Sequence, residues 1–190
     1  YTDYNRPHHF VVNAVYQVPK LVENNVAGIL INDWQLSGVY RWNSGRPYTV
    51  SASVSGYDLT GGTDVGARIV LTCDPGSGSS GDPYKQFNTS CFKAPSMGSK
   101  GDESARYFMH MPSINNVDMS ISKSFKFYKT TKFEIRADAF NALNHTQFTG
   151  VNNTVNFASL TNPTITNPVY DSSGAFVRNN GFGSINGVAP

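Results

Sequence analysis

The chain has 190 residues and a formal net charge of +2; 15% of its residues are charged and 13% aromatic. That length suffices for one domain with a sizeable core. The weak positive charge, with no basic run interleaved with aromatics, argues against a nucleic-acid partner. No window approaches the roughly 20 apolar residues of a transmembrane helix, a test that β-strands of about 9–11 residues escape.

Abundant Gly, Asn, Ser and Thr beside the aromatics predict an all-β fold with long polar connections. The chain opens at YTDYNRPHHF, without an initiator Met or a signal peptide, as expected of a mature product or a fragment. His8 and His9 follow; with His110 and His145 in no fixed register to them, a rim position is expected rather than a metal site.

The first predicted strand is about 10–18, FVVNAVYQV, with Phe10, Val12, Ala14, Tyr16 and Val18 on one face. Its other face (Val11, Asn13, Val15, Gln17) is mixed. The second strand, 34–43, alternates cleanly: Trp34, Leu36, Gly38, Tyr40 and Trp42 oppose Gln35, Ser37, Val39, Arg41 and Asn43. Residues 51–113 read as a long loop rich in Gly, Ser, Pro and Asp. Within it Cys73 and Cys91 are expected to form a disulfide in an oxidising compartment, worth roughly 3 kcal/mol; two free thiols are the alternative. Asp58, Asp64, Asp74 and Asp82 dot the same loop, but not in the calcium-loop spacing of an EF-hand.

The third strand, about 114–124, sets Val117, Met119 and Ile121 against Asp118, Ser120 and Ser122. The fourth, 132–140, sets Phe133, Ile135, Ala137 and Ala139 against Lys132, Glu134, Arg136 and Asp138. A tail rich in Asn and Thr fills 150–190. Sequons at Asn88, Asn144 and Asn152 are no more than such a composition produces by chance. Nothing pairs a nucleophile with a base or forms a phosphate loop, so no enzyme and no cofactor are expected.

Connections between these strands run short, long, short, long, the parity of an antiparallel meander with its long loops at one end, as in outer-membrane barrels. Trp34 and Trp42, eight residues apart, bracket one face of the second strand at about the separation of two interfacial aromatic belts. The competing reading is a water-soluble sandwich whose rings form the core.

The phrases WQLSGVYRWNSGRPYTV, FNTSCFKAP, INNVDMSISKSF and FEIRADAFNALNHTQFTGVNNTVNF occur in that order. Together they resemble the C-terminal barrel of TonB-dependent outer-membrane receptors, of the type with a carboxypeptidase-like regulatory domain at the N-terminus. The resemblance covers most of the chain and is weakest over about 51–85. It implies a wall segment of a barrel of about 22 strands around a plug, serving nutrient transport. Plug, TonB-contacting box and closing strand have no counterpart in these residues, so a truncated piece is expected.

On this reading Phe10, Val12, Tyr16, Trp34, Leu36, Tyr40, Trp42, Phe133 and Ile135 face lipid or another copy. Arg41, Asp118, Glu134, Arg136 and Asp138 line an aqueous lumen or groove, or simply stabilise the sheet as a charged ladder. The expected partners are outer-membrane lipid for the parent protein and copies of the chain itself, joined through strand edges into an extracellular filament. The tail 150–190 would then pack across or pair into a neighbouring copy. Transport by an intact barrel is the alternative function; a soluble adhesion or carbohydrate-binding sandwich is the third.

Overall fold

In the computed structural model the described residues are 2, 4–23, 25–54, 57, 59, 67–78, 81–96, 98, 107–128, 130–159, 161–162 and 164–189. Asp58 and Asp64, weighed above as oxygen ligands, lie outside them. The elements in chain order are β1 His9–Gln17, α1 Asn25–Ile31, β2 Trp34–Asn43, β3 Pro47–Tyr48, β4 Ser51–Val54, β5 Ala67–Arg68, β6 Val70–Leu71, β7 Phe92–Lys93, β8 Met109–His110, β9 Ile114–Tyr128, β10 Thr131–Ala139, β11 Gln147–Val151, β12 Thr154–Phe157 and β13 Ile185–Ala189.

Read from sequence as one piece, the chain packs as two compact units. One comprises Pro7–Ser44 and Ser113–Gln147; the other comprises Tyr1–Arg6, Gly45–Pro112 and Phe148–Ala189.

The first unit is a four-stranded sheet of order β1-β2-β9-β10, antiparallel throughout. These are the four segments with two-residue alternation. β9 runs on to Tyr128, four residues past the expected 124, because the alternation continues through SFKFY into the hairpin. A register shift between Thr131 and Lys132 marks the turn into β10. At the opposite end of the sheet, Asn43 of β2 pairs with Ile114 of β9. Both long segments of the chain, 44–113 and 140–189, leave the sheet at that end.

The second unit corrects the expectation for 51–113 and 150–190. Neither stretch is a structureless connection. β12 lies parallel to β4, with Thr154 opposite Ser51 and Phe157 opposite Val54; β5 pairs the other side of β4, and β13 pairs β11. Two segments of the tail thus find strand partners within their own chain. Val50, Ile69 and Val155 have no accessible surface, and Phe87, Phe157 and Phe182 have almost none. Phe87, Phe92 and Phe182 meet edge to face with centroids 5.1–5.4 Å apart.

Phe182 reaches this cluster from the phrase GFGS. A Cβ on Gly181 would lie 2.7 Å from the Val169 nitrogen, and Gly183 sits at φ +88°, so glycine is required on both sides of the ring. Ser184, fully buried, donates its hydroxyl to the Gly181 carbonyl. The pair Cys73–Cys91 is a disulfide spanning 18 positions. Cys91 is buried, so the bond ties the loop directly into the core.

The unit therefore depends on a tight aromatic cluster and one covalent tie. Phe182→Ala is expected to destabilise it by about 3–5 kcal/mol. Hydrogen exchange should then accelerate at the amides around Phe87 and Phe92 while those of β2 and β9 keep their protection. Reducing Cys73–Cys91 should cost about 3 kcal/mol, read as a lower denaturation midpoint for the same amides.

Candidate functional site

The chemistry-bearing surface of the first unit is the pair of faces of its sheet. Residues directly opposite in an antiparallel ladder share a face, so the register assigns every side chain. Phe10 lies opposite Trp42, Val12 opposite Tyr40, Ala14 opposite Gly38 and Tyr16 opposite Leu36. The row continues from Leu36 to Ile121 to Ala137, and from Trp34 to Lys123 to Ile135, with Phe125 opposite Phe133. One face runs across four strands and is apolar save for Lys123 and Asn115 on β9.

Aromatic rings gather at its two ends. Phe10, Tyr40 and Trp42 lie at the end from which the long segments leave, with Phe10 and Tyr40 edge to face at 6.3 Å. Tyr16, Trp34, Phe125 and Phe133 lie at the other, with Phe125 and Phe133 6.3 Å apart. Between them sit Val12, Leu36, Met119, Ile121 and Ile135. The eight residues Phe10, Val12, Tyr16, Leu36, Met119, Ile121, Phe133 and Ile135 each expose between 39% and 59% of their surface. In water each would forgo roughly 1 kcal/mol of burial, and eight together rival the net stability of a domain, about 5–15 kcal/mol. Such a contiguous patch marks an interaction surface.

The opposite face carries Gln35, Ser37, Val39 and Arg41 on β2, Asp118, Ser120, Ser122 and Ser124 on β9, and Glu134, Arg136 and Asp138 on β10. Arg41 and Asp118 lie diagonally across adjacent strands with nitrogen and oxygen 3.5 Å apart. Arg136 and Asp138 are paired along β10 at 2.8 Å. The Arg136–Asp138 pair is open to water and contributes no more than about 1 kcal/mol, whereas the Asp118 side chain is only 17% exposed.

Asp118 does more than pair with Arg41. Its Oδ1 accepts from the Asn116 side chain at 2.9 Å and from the Asn141 amide at 3.0 Å. Asn141, at φ +47°, is held by this bond while its side chain brackets His145, accepting from that residue's amide and donating to its carbonyl. The buried Gln147 side chain then accepts from the Asn115 amide and donates to the Asn115 carbonyl. The Asn-rich turn after β10 is thereby fastened to the start of β9.

Sequence reading missed a second polar knot, at the other end of the sheet. Asn32 is buried; its Oδ1 accepts from the amides of Leu21 and Val22, and its Nδ2 donates to the Val22 carbonyl. Lys123, 3% exposed, donates to the Asn32 carbonyl and lies 5.4 Å from the Trp34 ring and 5.2 Å from that of Phe125. The available signal was a lysine breaking an otherwise apolar row.

In the second unit a groove of about 480 Å³ is lined by Asp82, Tyr84, Asn88, Tyr170 and Asp171 among others. Tyr170 donates to Asp82 at 2.9 Å, which holds its phenol above the usual tyrosine range. Asp74 and Asp82 also accept amide hydrogens of Gly76 and Tyr84, closing turns. His9 bonds the Asn43 side chain and His145 approaches Asn115, each in its own setting. Among the described residues no three His, Cys, Asp or Glu side chains are grouped to hold a metal ion.

A family model described as an outer membrane beta barrel domain matches residues 1–189. No curated protein and no solved structure matches the chain. The rim knot yields a direct expectation: Asp118→Ala strands the Asn141 amide and should cost about 1–3 kcal/mol. The measurement is hydrogen exchange, faster at Asn141 and Ala142 but unchanged at Asn32.

Proposed function

The chain belongs to the outer membrane beta barrel domain family, and we propose that it forms part of the wall of a TonB-dependent receptor that takes up nutrients. Its sheet contributes four neighbouring strands, with the apolar face toward lipid and the Arg41, Asp118, Glu134, Arg136 and Asp138 face toward the lumen. One observation carries this reading: the apolar sets of all four strands fall in register on one face, with aromatic rings at both ends. Trp34 and Trp42 lie eight residues apart on β2, about 26 Å of strand at ~3.3 Å per residue. Tilted by about 35–45°, such a strand fits an apolar band of about 25 Å flanked by girdles.

Long connections of such barrels lie outside the cell and short ones in the periplasm. The Asn43–Ile114 end of the sheet is accordingly extracellular, and the hairpin after Tyr128 is periplasmic. A polar lining of serines and alternating charges carries water and a polar solute past the wall, and no step of this function needs a catalytic group.

Among the described residues β1 pairs with β2 alone and β10 with β9 alone, so the outer edges of both strands are open to further pairing. In a barrel the neighbouring wall strands take them. The same open edges support a second reading, in which copies of the chain join edge to edge into an extracellular filament.

Charge placement separates the membrane reading from a soluble one. Leu36→Arg, in the middle of the apolar face, should lower folding stability in liposomes by about 2–4 kcal/mol, whereas Ser37→Arg should change it little. Equal tolerance of both would sink the membrane face. Proline at Asn13 and Val15 removes two β1 amides and should abolish pairing at that edge. Electron microscopy of the unsubstituted chain then separates its two uses, with rings in detergent for the barrel and helical fibres in buffer for the filament.

A further inference from the structure

The connection between β1 and β2 is the one place at the periplasmic end where the chain lingers. It includes α1, Asn25–Ile31, which carries no charged residue. Val26, Ile29 and Leu30, spaced as one helical face, are 77%, 59% and 69% exposed, and Leu21 ahead of the helix is 66% exposed. The opposite side is half-buried. There Gly28 leaves room for the Asn32 side chain just past the helix; a Cβ at Gly28 would lie 3.0 Å from its Nδ2.

Which side of the sheet this helix occupies is fixed by two bonds. Trp34, on the apolar face, donates its indole hydrogen to the Leu30 carbonyl at 2.9 Å. Lys123, on the same face, donates to the Asn32 carbonyl. The helix is therefore tied to the lipid side, beside the girdle of Tyr16, Trp34, Phe125 and Phe133, and not to the charged side.

From this we propose that α1 is an interfacial anchor. It lies at the boundary of headgroups and acyl chains in the periplasmic leaflet, with Val26, Ile29 and Leu30 in the acyl region. The proposal rests on the membrane reading of the sheet and adds a second contact with the bilayer. Its occupant is phospholipid, because the exposed helical face continues an apolar face that ends in an aromatic belt, and Lys20 and Glu23 flank it as headgroup-level charges. Lys123 is a positioning residue. Its ammonium would be costly on a lipid-facing strand; against the Asn32 carbonyl and two rings it instead pins the end of the helix at the interface.

The test uses the full chain reconstituted in phosphatidylcholine liposomes. Single-cysteine reporters carrying bimane are placed at Leu30→Cys and Val26→Cys, with Ile135→Cys and Ser37→Cys as references; the native cysteines are engaged in their disulfide. Nitroxide lipids labelled near the headgroup should quench the Leu30 and Val26 reporters several-fold more than aqueous iodide does. Lipids labelled deep in the chain should quench Ile135, and iodide should quench Ser37. Iodide quenching at Leu30 and Val26, or quenching by neither agent, overturns the anchor if Ile135 is still reached by lipid. Absence of lipid quenching at Ile135 overturns the membrane face itself.

Discussion

Everything in the sheet depends on register. Side chains alternate with a period of two, so a slip of one position between β2 and β9 would move Leu36, Tyr40 and Trp42 to the wrong side of their neighbours. Ten residue pairs from Trp34↔Lys123 to Asn43↔Ile114 hold that central ladder. The polar devices sit where slippage would begin, at its ends. Asn32 and Lys123 fix one end, Asn115 and Gln147 the other, and Arg41 with Asp118 ties the two central strands on the hydrated face. Each of these groups loses its partner if the ladder slips. They decide which alignment is satisfied.

The two units solve the same problem of apolar surface in opposite ways. The loop-and-tail unit closes on itself: Phe87, Phe157 and Phe182 are buried, and a disulfide limits how far its reduced alternatives can open. The sheet closes on nothing within its own unit. β1 and β10 are exposed along their whole length, and among the described residues of that sheet the deeply buried side chain is a lysine. A sheet built in this way offers an apolar face and two strand edges to its surroundings, as suits an outer membrane beta barrel domain.

The four long strands were legible because alternation is a local signal that nine or more residues repeat. β2 and β10 show it cleanly; β1 shows it weakly, since Val11 and Val15 sit on its second face. The core of the other unit was not legible. β3, β5, β6, β7 and β8 are two residues each, too short for any period. Val50, Ala52 and Val54 do alternate, yet the Gly- and Ser-rich surroundings masked three residues of signal. Phe182 gave a different kind of clue, a lone ring between glycines, which marks close packing only once the partners Phe87 and Phe92 are known. Asn32 could not be foreseen at all, because its value lies in backbone groups that the connection would otherwise leave unpaired.

The parallel pairing of β4 with β12 has a consequence for the order of events during folding. Ser51 and Thr154 are about a hundred residues apart, and the strands between them include β9 and β10. Bringing such ends together is a slow search, because closure entropy is lost before any contact compensates it. The hairpin of β9 and β10, by contrast, joins neighbours across a tight turn and forms early. Phe182 must also arrive before the aromatic cluster can close, and it follows Phe87 and Phe92 only after the whole of β9 and β10. Assembly thus proceeds from hairpin to sheet to loop unit. The tie between Cys73 and Cys91, at a separation of 18, closes a far shorter loop than the pairing of β4 with β12 does.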